Sequence, residues 1–371
     1  MTYIHELKAW PNFIWDDRSI SQLLADIRHR QGRLIGRMEG LGFDLRAQAV
    51  LQNLTEDVLN SSEIEGEHLD RLQVRSSIAR RLGIDIGGLT RAERHVEGVV
   101  EMMLDATQEY NKPITVRRLH GWHAALFPGG TSVMSKIRVG KWRDDRKGPM
   151  QVISGPIGKE KVHFQAPSAS RVKDEIADFL VWFESPDSKT KGIDPVLKAA
   201  IAHFWFVTIH PFEDGNGRIA RAITDLTLAR SEGNPQRFYS MSAQICSERK
   251  LYYEILEDSQ KGNLDITPWL GWFLKCLGRA FTGAENTLAS VLRKARFWEV
   301  YGKLSLNERQ RKIINKLLDD FEGKLTSSKW ASLGKCSQDT ASRDINELIK
   351  LGILIRSEER GRSTNYQLTE I

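Results

Sequence analysis

The chain has 371 residues, enough for two or three domains, and its 40% hydrophobic and 27% charged residues are typical of a globular protein. Its net charge of +6 is compatible with a phosphate-bearing partner without requiring one. The three cysteines are far apart, no apolar run could cross a bilayer, and the first residues lack a secretory-signal pattern, so we expect a cytoplasmic protein without disulfides, zinc or a membrane partner.

Helical periodicity dominates residues 18–110. Apolar residues recur at three- and four-residue intervals in "SISQLLADIRHRQGRLIGRM" and again in "AVLQNLTEDVLN". A third helix is expected from residue 90, where Thr90 and Glu93 have the spacing of a capping box. The segment 127–168 differs, because it is rich in turn signals and contains two short β-like runs, "MQVIS" and "KVHFQA". We therefore predict one β-hairpin within a long loop.

Helices resume at residue 170, and the last part of the chain has a pattern of its own. Residues 305–371 read as three helices followed by two strands around a charged turn, which is typical of a winged helix. The predicted fold class is mainly α: a helical core with a hairpin flap, an N-terminal helical region and a C-terminal winged helix. The predicted boundaries are 1–89 for the N-terminal region, 90–280 for the core, 281–304 for a connector helix and 305–371 for the winged helix.

The stretch "HPFEDGNGRIAR" combines several groups that suit phosphate chemistry. Glycines 215 and 217 let the backbone turn sharply at the start of a helix, where unpaired N–H groups and the helix dipole attract anions. Arg218 and Arg221 lie three residues apart on the first turn, as a fork for phosphate oxygens. Asp214 has the chemistry of a Mg²⁺ ligand, and His210 has the chemistry of a general base.

The same stretch resembles, position for position, the signature of the Fic (Fido) family, His-Pro-Phe-x-(Asp/Glu)-Gly-Asn-Gly-Arg-x-x-Arg. The resemblance implies a Fic-type core and a protein adenylyltransferase, an enzyme that transfers AMP from ATP to a Ser, Thr or Tyr hydroxyl of a target protein. It implies that His210 is the catalytic base and that Asp214 binds Mg²⁺. It also implies that the rest of the signature binds the phosphates of ATP: Gly215, Asn216, Gly217, Arg218 and Arg221.

Upstream, "SSEIEG" resembles the inhibitory motif of the same family. Ser61 and Glu65 have the spacing of that motif, and Gly66 would end the helix after them. In the family, this glutamate pairs with the second arginine of the signature, here Arg221, and displaces the γ-phosphate of ATP. The resemblance therefore implies an autoinhibited enzyme of the N-terminally inhibited class.

Two further segments resemble parts of the Fic family. The predicted hairpin is similar to its flap, so Val152, Ile153 and Ser154 are expected to hold a target segment as an added strand. The helix "SERKLYYEILEDSQ" is similar to its adenine-side helix, with Tyr253 and Gln260 facing the base and one of the two adjacent tyrosines in the core.

The sequence does not decide whether the predicted winged helix binds DNA or protein. Residues 305–371 contain twelve basic and ten acidic side chains, a weak excess for a DNA-binding unit, although Arg356, Arg360 and Arg362 in the wing keep DNA binding open. The alternative is protein docking or a homodimer, and the whole layout resembles a common bacterial Fic architecture. Two other functions stay open: a nucleotide-sensing DNA-binding regulator, and a bifunctional enzyme that also removes AMP.

Overall fold

The computed structural model describes residues 2–86, 88–132, 135–146, 148–156, 159, 161–185, 192–318, 321, 323–356 and 364–369. These residues form fourteen α-helices: α1 Asp17–Glu39, α2 Phe43–Ile64, α3 Arg71–Leu82, α4 Arg94–Gln108, α5 Val116–Leu126, α6 Ala169–Glu184, α7 Pro195–Ile209, α8 Asn216–Glu232, α9 Met241–Ser247, α10 Arg249–Gln260, α11 Thr267–Tyr301, α12 Glu308–Leu318, α13 Ser327–Gly334 and α14 Gln338–Lys350. The predicted mainly α fold class is confirmed.

The strands in the described ranges are short and form three separate antiparallel pairs. They are β1 Thr131–Ser132 with β2 Ser135–Lys136, β3 Gln151–Ser154 with β4 Lys161–Gln165, and β5 Leu354–Arg356 with β6 Tyr366–Leu368. The β3–β4 pair is the predicted hairpin. Its register shifts by one residue after Val152, so that Val152 lies opposite Phe164 and Ile153 lies opposite Val162. His163 is therefore the extra residue of a β-bulge.

The chain folds into two compact units, residues 1–285 and 286–371, and α11 passes through the boundary. The four boundaries predicted from the sequence, 1–89, 90–280, 281–304 and 305–371, stay predictions. No helix in the described part of the chain combines the length and the apolar character needed to cross a bilayer.

In the first unit, helices α7 and α8 form the centre of the core. Asp194 caps α7 by accepting a hydrogen bond from the Val196 N–H, and Pro195 occupies the first turn, where its missing N–H costs nothing. The helix is apolar on every side and is accordingly buried on every side. Buried residues of α8 pack against it, which fixes the loop between the two helices.

The predicted capping box at Thr90 is wrong. Helix α4 begins at Arg94 with Glu93 as its N-cap, and no described side chain caps it. The residues before it are held by α3 instead, because the Thr90 N–H donates to Ser76 Oγ and the Glu93 N–H donates to Gln73 Oε1. A tertiary contact thus replaces the local one that the sequence suggests.

The second unit has its own core around Trp330, which is fully buried. Asp344 accepts hydrogen bonds from the Trp330 indole and from the Arg309 guanidinium, and so joins three helices. The described residues contain α12, α13, α14, β5 and β6 in the predicted order, and Ser337 caps α14. The winged-helix assignment stays a prediction, and of its proposed DNA contacts Arg360 and Arg362 lie outside the described residues.

The packing of α4 against α5 depends on a glycine. A Cβ at Gly98 would lie 1.8 Å from the carbonyl oxygen of Ala125. We expect Gly98→Ala to lower the free energy of unfolding by about 3 kcal/mol, because backbone must move to admit the methyl group. At Gly32, inside α1, no described atom lies within 4 Å of the added Cβ. Gly32→Ala should therefore raise the free energy of unfolding by about 0.5–1 kcal/mol. Urea unfolding of both variants tests this, and equal effects would contradict it.

Candidate active site

The signature loop lies at the edge of a cavity of about 830 Å³. The cavity is bounded by the end of α2, the β3–β4 hairpin, the loop between α7 and α8, and α10. Residues from all four segments line it, among them Glu65, Ile153, His210, Asp214, Tyr253 and Gln260. The structure therefore brings together groups that lie far apart in the sequence.

His210 ends α7 in a left-handed conformation, with φ 50° and ψ 58°. Such a backbone is uncommon for a residue with a side chain, and it turns the imidazole into the cavity. Nδ1 lies 3.2 Å from the Val207 carbonyl oxygen, to which it can only donate. The proton on Nδ1 leaves Nε2 as the acceptor, which is the atom that a general base needs.

The environment of His210 keeps the imidazole neutral. Burial lowers the pKa of His210 to about 4, and the nearby Arg143 guanidinium acts in the same direction. The Val207 carbonyl, Glu65 and Asp214 oppose this shift without reversing it. At neutral pH the folded protein therefore presents an unprotonated imidazole.

Arg143 stabilises the turn at His210 through hydrogen bonds to backbone carbonyls. Its side chain is almost completely buried; Nε donates to the His210 carbonyl at 2.7 Å and Nη2 donates to the Pro167 carbonyl. Its backbone N–H donates to the Pro211 carbonyl at 2.9 Å. Nothing in "KWRDD" marks this arginine at the sequence level, because its partners are backbone carbonyls far along the chain.

The loop after His210 is closed by its own asparagine. Asn216 Oδ1 accepts a hydrogen bond from the Phe212 N–H and Nδ2 donates to the Phe212 carbonyl, both at 2.9 Å. Phe212 itself is fully buried, with its ring stacked on His123 at 4.2 Å. The Asn216 side chain thus shapes the loop, and only its backbone N–H, at the first position of α8, is available for an anion.

The two glycines of the loop serve different purposes. Gly215 is the N-cap of α8 with φ 79°, and a Cβ there would lie 2.9 Å from the Phe127 ring. Gly217 has ordinary helical geometry, but a Cβ there would lie 2.2 Å from Oε1 of Glu65. The Glu65 carboxylate therefore occupies the space directly in front of the helix N-terminus.

Arg221 is a buried cation held by the end of α2. Its Nε donates to Ser61 Oγ at 3.0 Å, and its Nη2 donates to the Ser61 carbonyl at 2.7 Å and to Glu65 Oε1 at 2.8 Å. Nη1 is buried and has no hydrogen-bond partner among the described residues. It lies 3.2 Å from the Cβ position of Gly217, so it faces the helix N-terminus, as a ligand for an anion would.

The first arginine of the loop is paired as well, with a residue that the sequence did not suggest. Arg218 Nη1 donates to Glu67 Oε2 at 2.5 Å, and its guanidinium lies over the Phe127 ring. Its Nε is buried and lacks a hydrogen-bond partner in the described part of the chain. The available signal was the third acid of "EIEGEH", two residues beyond Glu65 and in the same turn after α2.

Asp214 offers oxygens of the kind that Mg²⁺ prefers. Oδ1 accepts a hydrogen bond from the Gly215 N–H at 2.6 Å, and Oδ2 accepts one from the Ser132 hydroxyl, which orients the carboxylate. The described residues include no cluster of three or more His, Cys, Asp or Glu side chains that could hold a metal by itself. The donor set fits a Mg²⁺ that takes its other ligands from phosphates and water.

The remaining predicted residues line the cavity at other places. Tyr253 is partly exposed, and its hydroxyl lies 3.4 Å from the Ile64 carbonyl oxygen, whereas its neighbour Tyr252 is buried and bonded to His203. Gln260 is buried and donates to Thr208 Oγ1. Flap residues Val152, Ile153 and Ser154 line the cavity from the β3–β4 hairpin.

Comparison with known families agrees with this geometry. Residues 113–228 match the Fic/DOC family, and residues 3–84 match a domain of unknown function, DUF4172. The chain contains a Fic domain. All site residues from His210 to Arg221 lie inside it, whereas Ser61, Glu65 and Glu67 lie in the DUF4172 segment.

Relatives of the Fic domain are named as adenylyltransferases. A 150-residue stretch is 33% identical to protein adenylyltransferase fic-1 of Caenorhabditis elegans and covers 38% of this chain and 28% of that protein. A 233-residue stretch is 25% identical to protein adenylyltransferase Fic of Aedes aegypti and covers 60% of this chain and 40% of that one. The matches thus span less than half the length of these relatives.

Solved structures share the fold. A Fic family protein from Desulfovibrio desulfuricans superposes with a TM-score of 0.53 at 22% identity, covering 95% of this chain and 96% of that chain. A Fic domain containing signaling protein from Bacteroides thetaiotaomicron gives a TM-score of 0.50 at 22% identity, over 73% and 97% of the two chains. The likeness supports the Fic-type fold.

Arg143 offers a direct test of how the His210 turn is held. We expect Arg143→Ala to lower the free energy of unfolding by about 3 kcal/mol, because it leaves buried carbonyl groups without donors. Arg146, three residues away, has a side chain that is 88% exposed. Arg146→Ala should therefore change the free energy of unfolding by less than about 0.5 kcal/mol. Urea unfolding monitored by tryptophan fluorescence measures both, and similar values would contradict this role of Arg143.

Proposed function

We propose that the chain is a protein adenylyltransferase, which transfers AMP from ATP to a hydroxyl of a target protein and is autoinhibited by Glu65. The observation that carries the proposal is the anion site at the start of α8. There the N–H groups of the first turn of α8 lie beside Nη1 of Arg221, a buried nitrogen without a hydrogen-bond partner within the described ranges, 3.2 Å from the Cβ position of Gly217. Nε of Arg218, on the same turn, is likewise buried and unpartnered in those ranges. A neutral imidazole lines the same cavity. The names of the relatives support the same activity.

In the proposed reaction, the target hydroxyl oxygen bonds to the α-phosphorus of ATP, and the bond from that phosphorus to the β-phosphate oxygen breaks. His210 Nε2 takes the hydroxyl proton, and pyrophosphate leaves. The backbone of Gly215–Gly217 and the side chains of Arg218 and Arg221 hold the phosphates and stabilise the negative charge that develops. Asp214 would hold Mg²⁺, whose positive charge would offset the negative charge of the phosphates.

The remaining residues would orient the two substrates. Tyr253 and Gln260 would bound the adenine pocket on α10, and the Val152–Ser154 strand would pair with the target segment. Ile153 on this strand is 54% exposed, a large apolar surface that a bound segment would cover. The target protein would thereby present its hydroxyl beside His210.

Autoinhibition would arise because Glu65 occupies the place of a phosphate. Its carboxylate bonds to Arg221 and fills the space at Gly217, so the terminal phosphate of ATP cannot reach either group. Glu67 would act on Arg218 in the same way. Each carboxylate belongs to the segment after α2, so movement of that segment would free both arginines. A homodimer, DNA binding, the regulatory alternative and AMP removal all stay untested predictions.

The first test removes Glu65. Glu65→Gly should raise AMP transfer from labelled ATP to proteins of a host lysate by at least about tenfold, since each 1.4 kcal/mol of lost inhibition is a factor of ten. Adding His210→Ala should reduce that transfer by at least about a hundredfold, the usual effect of losing a general base. Glu63→Gly, two residues earlier at an exposed position, is the matched control and should leave AMP transfer unchanged. If Glu65→Gly left no label on any protein, the proposal would fail.

A second test concerns Glu67. In the Glu65→Gly background, Glu67→Gln should lower the KM for ATP several-fold, because Arg218 then no longer has to leave a partially buried ion pair to bind phosphate. Steady-state pyrophosphate release at varied ATP measures the KM. Glu63→Gln serves as the control. An unchanged KM with Glu67→Gln would show that Arg218 exchanges partners at no cost.

A further inference from the structure

A second histidine of the cavity has partners unlike those of His210. Ser154, at the end of β3, lies with its Oγ 2.6 Å from Nε2 of His163 on β4. Nδ1 of the same imidazole lies 2.5 Å from Oε2 of Glu257 on α10. The three side chains come from three segments and form one continuous hydrogen-bonded chain.

The partners of Glu257 fix the direction of the hydrogen bonds. The Glu257 carboxylate also accepts a hydrogen bond from the Lys261 ammonium. Burial works to raise the pKa of Glu257, but the hydrogen bonds from Lys261 and His163 outweigh it and lower the pKa, so the group stays ionised. An ionised carboxylate only accepts, and therefore Nδ1 of His163 carries the proton. In the neutral imidazole Nε2 is then the nitrogen that can accept from the Ser154 hydroxyl.

A β-bulge in the hairpin sets the direction of the His163 side chain. Regular alternation along β4 is broken because His163 is the extra residue of the bulge, between the positions that pair with Val152 and Ile153 of β3. Bulges of this kind re-aim side chains beside functional sites. Here the bulge lets one imidazole reach both Ser154 across the hairpin and Glu257 on the neighbouring helix.

All three residues face the cavity of the Fic domain. Ser154, His163 and Glu257 line the same space as Asp214 and Gly217, and Ser154 is exposed. A hydroxyl bonded to an imidazole that is oriented by a carboxylate is the general arrangement of an activated nucleophile. A purely structural hydrogen-bonded chain would not need its hydroxyl end open to the space beside the phosphate site.

We propose that Ser154, His163 and Glu257 form a nucleophilic site on the flap, and that Ser154 accepts AMP on the chain itself. The Ser154 oxygen bonds to the α-phosphorus of ATP, His163 Nε2 takes the hydroxyl proton, the bond to the β-phosphate oxygen breaks, and pyrophosphate leaves. Glu257 stabilises the imidazolium that forms. The source of AMP rests on the function proposed above. The AMP group would then sit on the strand that is expected to hold the target segment.

The first experiment locates the modification. The full-length Glu65→Gly protein is incubated with ATP and Mg²⁺ and digested, and the Ser154 peptide is analysed by mass spectrometry. AMP on Ser154 is expected, and it should fall by at least about a hundredfold with His163→Gln, which removes the base. An unchanged far-UV circular dichroism spectrum of that variant is the control for folding. AMP on lysate proteins without AMP on Ser154 would overturn this inference and leave the proposed function intact.

The second experiment tests the nucleophile without ATP. The wild-type protein is treated with a fluorophosphonate, with which an activated serine oxygen forms a bond to phosphorus as the phosphorus–fluorine bond breaks and fluoride leaves. Ser154 should be labelled, and His163→Gln and Glu257→Gln should each slow labelling by at least about tenfold. Ser170, an exposed serine whose hydroxyl is bonded to that of Ser168, is the internal control. Labelling of Ser154 no faster than of Ser170 would overturn the inference even if AMP transfer is found.

Discussion

The buried guanidinium of Arg221 is the interaction on which the site depends. A charge with almost no exposure must be compensated by nearby groups, since burying it unpaired would cost several kcal/mol. The compensation comes from the end of α2, through the hydroxyl and carbonyl of Ser61 and the carboxylate of Glu65. The N-terminal region is thereby joined to the Fic domain by the same side chain that is proposed to bind phosphate.

This dual use explains why the proposed inhibition need not strain the protein. The Glu65 carboxylate satisfies the Arg221 cation in this structure, and in the proposed reaction an ATP phosphate, also an anion, would take its place. The Ser61 contacts do not depend on Glu65 and can hold α2 against α8 while the partner changes. Release therefore requires movement of the short segment from Glu65 to Glu67 and leaves the helices in place.

The sequence predicted the parts of this structure that are local. Gly215 and Gly217 lie at the start of a helix, as predicted, because a glycine-rich turn and the apolar period after it are signals within one short segment. The β3–β4 hairpin was equally readable, because turn signals act over a few residues. The inhibitory motif gave Glu65 and its partner only through resemblance, since nothing in the spacing links residues 65 and 221.

The sequence could not reveal contacts made between distant segments. Arg143 donates hydrogen bonds to backbone carbonyls, which every residue has, so no side chain in the sequence indicates its role. The role of Glu67 becomes visible only in the structure, where it pairs with Arg218. The expected cap at Thr90 failed for the same reason, because α3 supplies the acceptors there. The bulge at His163 is a register effect between two strands, and no single strand carries its signal.

The closeness of Gly217 to Glu65 also bears on how such a protein can evolve. A methyl group at position 217 and the carboxylate of residue 65 would occupy the same volume, since their atoms would lie 2.2 Å apart. Any side chain gained at the start of α8 therefore forces the acid out of its position. The acid in its present position is thus compatible only with glycine at 217, and a chain without that acid would have room for a side chain there.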